Sequence, residues 1–167
     1  MKHTLSVLVE NQPGVLSRVA GLFSRRGFNI DSLAVGTTQN PKISRMTIVV
    51  DGDDYIVEQV EKQLNKLIPV IKVRVLEPGS FVSCELTLVK VACKSKQHAE
   101  VLNVARLMGA EIIDVAPSSL TLRFSGDEEQ SRTLLGLLTP YGIREVVRAG
   151  SLAIEKGSDL LKKNNKE

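Results

Sequence analysis

Two β-α-β-β-α-β units in tandem, each an α+β sandwich of the ferredoxin-like kind, are the fold this sequence predicts. Three observations carry the expectation. Through residues 5–75, short apolar or alternating runs and apolar residues at helical spacing follow one another in that order. The order starts again after Glu77-Pro78-Gly79-Ser80, which has the composition of a joint. The chain of 167 residues also has room for two small domains of roughly 75 residues each.

In the first half, Leu5–Val9 is a short, mostly apolar strand. Val15, Leu16, Val19, Ala20, Leu22 and Phe23 then recur at helical spacing, with Ser17, Arg18, Gly21, Ser24 and Arg25 on the other side. Pro13 suits a first helical turn, where its missing N–H is no loss, and Gly27 suits a left-handed helix end. Ile30–Thr37 and Ile43–Val50 read as a hairpin joined by Gln39-Asn40-Pro41-Lys42. Asp51-Gly52-Asp53-Asp54 opens a second helix, with acids at the positive end of the dipole. Its stripe is Ile56, Val57, Val60, Leu64 and Leu67, and Pro69 stops it. Val70–Val75 alternates as a half-exposed strand.

The second half repeats the architecture with little repeat of sequence. Glu85–Cys93 is a strand; Val101, Leu102, Ala105 and Met108 mark a helix closed by Gly109. Glu111–Val115 and Leu120–Phe124 are strands linked by Pro117-Ser118-Ser119, and Gly126-Asp127-Glu128-Glu129 starts a helix carrying Leu134, Leu135 and Leu138. A turn at Thr139-Pro140-Tyr141-Gly142 leads into the strand Ile143–Arg148. The expected division is therefore residues 1–76, a linker at 77–83, a second domain at 84–155, and a charged helical tail at 156–167. Right-handed crossovers and one-sided helices put both helices of each unit on one face of a four-stranded sheet. The other face of the first sheet, carrying Ser32, Thr37, Arg45, Thr47, Lys72 and Arg74, is expected to be solvated or covered by a partner. An unprotected sheet edge also favours pairing with a second copy.

Composition narrows the function. Hydrophobic residues make up 43%, enough for packed cores, and the net charge of +3 comes from scattered bases. With two Tyr, four Phe and no Trp there is little to stack on nucleic-acid bases. No run approaches the ~20 apolar residues of a membrane span, and Met1-Lys2-His3 leads straight into a strand, so a cytoplasmic location is expected. Cys84 and Cys93 match no zinc spacing and fit a reducing compartment; the bases after Cys93 could lower its pKa. His3 and His98 lack ligand-spaced neighbours and read as ordinary exposed histidines. Phosphate-binding glycine loops and nucleophile elbows are absent, and no nucleophile, base and orienting group converge. No catalytic residue, metal site or bound cofactor is expected in this chain.

One stretch stands out. Asn11-Gln12-Pro13-Gly14-Val15-Leu16 opens the first helix, where amides lack intrahelical partners and the macrodipole is positive, a setting that attracts anions. Gly27-Phe28-Asn29-Ile30 places a second Asn beside apolar residues. A small amino acid could give its carboxylate to the amides around Gly14 and Val15 and its ammonium to the Asn carbonyl oxygens, with Val15, Leu16 and Ile30 against its side chain. An ordinary capped helix explains the first stretch equally well. In one copy the two stretches are expected near the same end of the sheet, and a dimer could also bring one copy's helix start to the other's Asn29.

Residues Leu5–Leu16 with Arg18-Val19-Ala20-Gly21-Leu22-Phe23 closely resemble the opening of the acetohydroxyacid synthase (acetolactate synthase) small regulatory subunits. Arg25-Arg26-Gly27-Phe28-Asn29-Ile30, Ser44–Val49, Gln63–Leu67 and Gly142–Val146 resemble that family too, in the right order, from residue 1 to about 155. The resemblance implies that residues 1–76 are an ACT domain that pairs side by side with a second copy and binds valine between them. It assigns Asn11, Gly14, Val15 and Leu16 to one side of that pocket and Asn29 and Ile30 to the other chain. It further implies a non-catalytic subunit that activates a large catalytic subunit carrying thiamine diphosphate, Mg²⁺ and FAD and makes it sensitive to valine. A free-standing ACT-type sensor acting on another enzyme or on transcription is the alternative.

Overall fold

The computed structural model describes residues 1–158, 160 and 161. Two compact units form: one from Met1–Val82 with the segment that starts at Ser151, the other from Ser83–Gly150.

The first unit contains β1 (Lys2–Glu10), α1 (Val15–Arg26), β2 (Ile30–Thr37), β3 (Ile43–Asp51), α2 (Asp54–Leu64) and β4 (Val70–Leu76). Its sheet has the order β2-β3-β1-β4 with every neighbour antiparallel. Leu5 and Val7 of β1, Met46 and Ile48 of β3, and Val19 and Phe23 of α1 are buried together with Val60 and Leu64 of α2. Burying a side chain such as Phe23, 1% exposed, contributes about 1.5–3 kcal/mol. α2 ends three residues before the expected stripe does. Asn65 gives both its N–H and its Nδ2 to the Glu61 carbonyl (3.0 Å each), and the next amides, Lys66 and Leu67, reach back only three residues, to Gln63 O (3.2 Å) and Leu64 O (3.0 Å). Leu67 still packs against the core, while Ile68 is 93% exposed.

The second unit comprises β5 (Phe81–Ala92, beginning before Ser83), a 3₁₀ turn at Ser95–Gln97, α3 (His98–Met108), β6 (Glu111–Ala116), β7 (Ser119–Gly126), α4 (Glu128–Leu138), a 3₁₀ turn at Thr139–Tyr141 and β8 (Ile143–Arg148). The strand order β6-β7-β5-β8 repeats the first sheet's pattern. Val89, Val91, Leu122, Leu134 and Leu138 form its core with Val101 and Ala105. Thus the fold is two tandem ferredoxin-like sandwiches. At one edge of the second core the Glu85 carboxylate, 5% exposed, receives Arg148 Nη2 at 2.7 and 2.8 Å and Nε at 3.1 Å.

The free face of the first sheet is covered in part by the chain itself. A short strand, β9 (Leu152–Glu155), which pairs with β5, crosses it. Ser151 N–H donates to Ser32 Oγ of β2 (2.9 Å), Arg45 Nη2 of β3 donates to Ala153 O (3.4 Å), and Glu155 pairs with Arg74 of β4. Ser6, Thr47, Val49 and Leu76, on that face, are consequently buried. Thr37 is not among them, since it pairs with Ser44, whose parity is that of Met46 and Ile48 on the helix side. Of the expected helical tail, Lys156–Ser158 form a bend and turn, and Asp159 and residues 162–167 lie outside the described residues.

The loop that opens the first helix

Gly14 caps α1 with φ +84°, a left-handed conformation that strains any residue bearing a Cβ, and no side chain caps the helix. The first i→i−4 bond of the helix is Arg18 N–H to Gly14 O (3.0 Å), so the amides before it project from the helix end. Val15 N–H makes a long bond to Gln12 O (3.4 Å). No acid lies in the first turn, and a Cβ built on Gly14 would meet nothing within 4 Å. An uncompensated positive helix end therefore faces open space, a setting suited to a carboxylate.

Asn11 is held by the hairpin that follows β2. Its N–H donates to Lys42 O and its Nδ2 to Pro41 O, both at 2.8 Å, which leaves Oδ1 as an acceptor. Pro41 and Lys42 thus position the loop, a role that the sequence, read as a plain hairpin connection, did not disclose. Val15 spends its side chain in the core, at 5% exposure, so only its backbone faces outward; Leu16 is half-exposed. Gly27 ends α1 in the left-handed region, and Phe28 N–H closes back to Phe23 O (3.0 Å) before Asn29, which is exposed. Ile30 packs against the edge of the core.

The sheet register corrects one expectation. Glu10 lies opposite Ile43, at the end where β2 finishes, whereas Ile30 lies opposite Val50, which lies opposite His3. β1 and β2 therefore run parallel across β3, and in one chain Asn29 sits at the opposite end of the sheet from Gly14. A strand as long as β1 spans on the order of 25 Å. The two stretches cannot touch one amino acid within a single chain.

Other candidate groups have plain structural roles or corrected environments. Asp53 caps α2, accepting Ile56 N–H at 2.9 Å, with Asp54 in the first turn. Cys84 is exposed and Cys93 is buried. Burial, aided by nearby Glu100, pushes the Cys93 thiol above its usual range, opposite to the lowering its basic neighbours suggested. His3 and His98 are only partly exposed, and each has an enclosed Nε2 without a hydrogen-bond partner. Among the described residues no group of three His, Cys, Asp or Glu could hold a metal ion, and no helix is long and apolar enough to cross a membrane.

Fold and loop together define an ACT-type regulatory module. Residues 5–72 match the model of the acetohydroxyacid synthase small subunit-like ACT domain, and residues 84–157 match that of the small subunit of acetolactate synthase. The chain belongs to the acetolactate synthase small-subunit family. It is 50% identical over 158 residues to a probable acetolactate synthase small subunit of Archaeoglobus fulgidus, covering 95% of this chain and 99% of that one. With the acetolactate synthase small subunit of Mycolicibacterium smegmatis it shares 50% identity over 155 residues, 93% of this chain and 91% of the relative. The crystal structure of the acetolactate synthase small subunit from Thermotoga maritima superimposes with a TM-score of 0.87 at 35% identity, covering 95% of this chain and 99% of that one.

Proposed function

We propose that this chain is the regulatory subunit of an acetolactate synthase: it has no catalytic residues, activates a large catalytic subunit, and imposes feedback inhibition by valine. Thiamine diphosphate, Mg²⁺ and FAD belong to that partner. Valine binds between two copies of this chain. Its carboxylate meets the amides at Gly14, Val15 and Leu16 of one copy, with Asn11 Oδ1 beside them, and Asn29 and Ile30 come from the other copy. The observation that carries this reading is the separation of the two stretches by the length of the sheet. A two-fold axis that reverses one sheet against its neighbour brings opposite ends together. Because the ligand then touches both copies, it favours one dimer arrangement over another by its difference in affinity for the two, commonly ~1–3 kcal/mol.

Mixing two defective chains tests the arrangement. Gly14→Asp puts a carboxylate where the ligand's belongs, and Asn29→Ala removes the facing amide. Neither variant alone should bind valine well by calorimetry. A mixed dimer carries both defects in one pocket and none in the other, so mixing should restore parental-affinity sites. If mixing restores none, the pocket is not shared between chains. Valine titration of a reconstituted synthase, with and without this chain, tests the regulatory role itself.

A further inference from the structure

The first unit has a second concavity, a groove of about 880 Å³ on the face crossed by β9, which reaches Asn11 and Gln12 of the loop before α1 but not Gly14 or Val15. Its apolar lining includes Leu8, Ile43, Ile71, Ile154, Leu160 and Leu161. Among the described lining residues, Lys42 and Arg45 are the bases and Glu10 the single acid, a net charge of +1. Arg45 has hydrogen-bonding capacity in reserve. Its Nη2 makes only the 3.4 Å bond to Ala153 O, and its Nε is enclosed with no partner. Glu155, the carboxylate whose charge acts on Arg45, is already engaged by Arg74.

We propose that this groove binds an amphipathic monocarboxylic acid, its carboxylate on the Arg45 guanidinium with Lys42 alongside and its hydrocarbon body over Leu8, Ile43, Ile71 and Ile154. A concave, mostly apolar surface with a few converging polar groups is the usual build of a small-molecule site. The net charge matches one negative charge, not the two or more of a phosphate ester. Burial disfavours the charge on Arg45, and Glu155 opposes that effect, so an arriving carboxylate compensates a partly desolvated cation. The groove shares Asn11 with the valine loop, yet this proposal stands whether or not that loop binds valine.

Octanoate is the probe, with 1-octanol as its uncharged counterpart and the full-length chain as the protein. Octanoate should raise the melting temperature with saturation and perturb methyl resonances of Leu8, Ile43, Ile71 and Ile154. Arg45→Gln should weaken it by about tenfold, the equivalent of one lost charged contact. Because Arg45 also holds β9, the exposed Lys42→Glu serves as a second variant. It should retain the parental melting temperature without ligand and bind octanoate several-fold less tightly. Equal binding of 1-octanol, equal binding by both variants, absence of binding at about 10 mM, or perturbations confined to other residues would each overturn the proposal.

Discussion

The two units share a topology and differ where their first helices begin. In the first, β1 runs out into a loop whose left-handed Gly14 leaves the amides of α1 uncapped and exposed. In the second, Cys93 N–H donates to Ser118 O (2.9 Å), Gln97 N–H to Lys94 O (2.8 Å), and Lys94 N–H to the Gln97 side chain (3.3 Å). A 3₁₀ turn folds that end back on itself, with His98 N–H donating to Ser95 O, and Lys94 and Lys96 flank it. α4 is closed more tightly still: Asp127 accepts Gln130 N–H (2.8 Å) while the Gln130 side chain accepts Asp127 N–H (3.0 Å). A fold repeated twice therefore opens its first helix from a left-handed glycine in one unit and from a 3₁₀ turn in the other. Duplication of architecture did not duplicate the loop.

Five substitutions would break or sharpen this contrast. The largest effect is expected at Gly14→Asp, which should raise the valine concentration for half-inhibition of the reconstituted synthase on the order of 100-fold. The matching Lys94→Asp should leave it unchanged, and activation should survive in both. An equal loss at Lys94 would abolish the distinction between the units. Next, Arg148→Ala strands the buried Glu85 carboxylate and should cost about 2 kcal/mol in urea unfolding. That lies below the usual 3–5 because Arg148 itself is 44% exposed. Asp127→Ala removes a cap and should cost about 1 kcal/mol without altering the valine response. The smallest change, under about 0.5 kcal/mol, belongs to Lys90→Gln, which breaks the exposed 3.0 Å pair with Glu145.

Much of the architecture was legible because period-two and helical patterns are local. The stripe of Val15, Val19, Leu22 and Phe23, the Asp53 and Asp127 helix starts and the Gly27 and Gly109 ends all follow from short-range rules, and each forms as those rules require. What the local pattern could not supply was relation at a distance. Asn29 and Gly14 are fifteen residues apart in the chain, and only the order β2-β3-β1-β4 reveals that they occupy opposite ends of the sheet. The clamp on Asn11 is equally nonlocal, since its acceptors are backbone carbonyls thirty or so residues on. Leu152–Glu155 is too short and too plain in composition to announce that it would lie across Ser6 and Thr47. The capping of α2 by its own Asn65 needed only side-chain chemistry, and there the Leu67 periodicity obscured it.

The crossing strand has a practical consequence for dissecting this protein. A fragment cut at the joint near residue 80 would keep every helix and all four strands of the first sheet. It would nonetheless lose the segment that bonds Ser32 and Arg45, and leave Arg74 without its acid. Such a fragment invites self-association through a surface that the intact chain never shows. An isolated sensor module is better made by splicing residues 151–158 back onto residue 82 through a short flexible bridge.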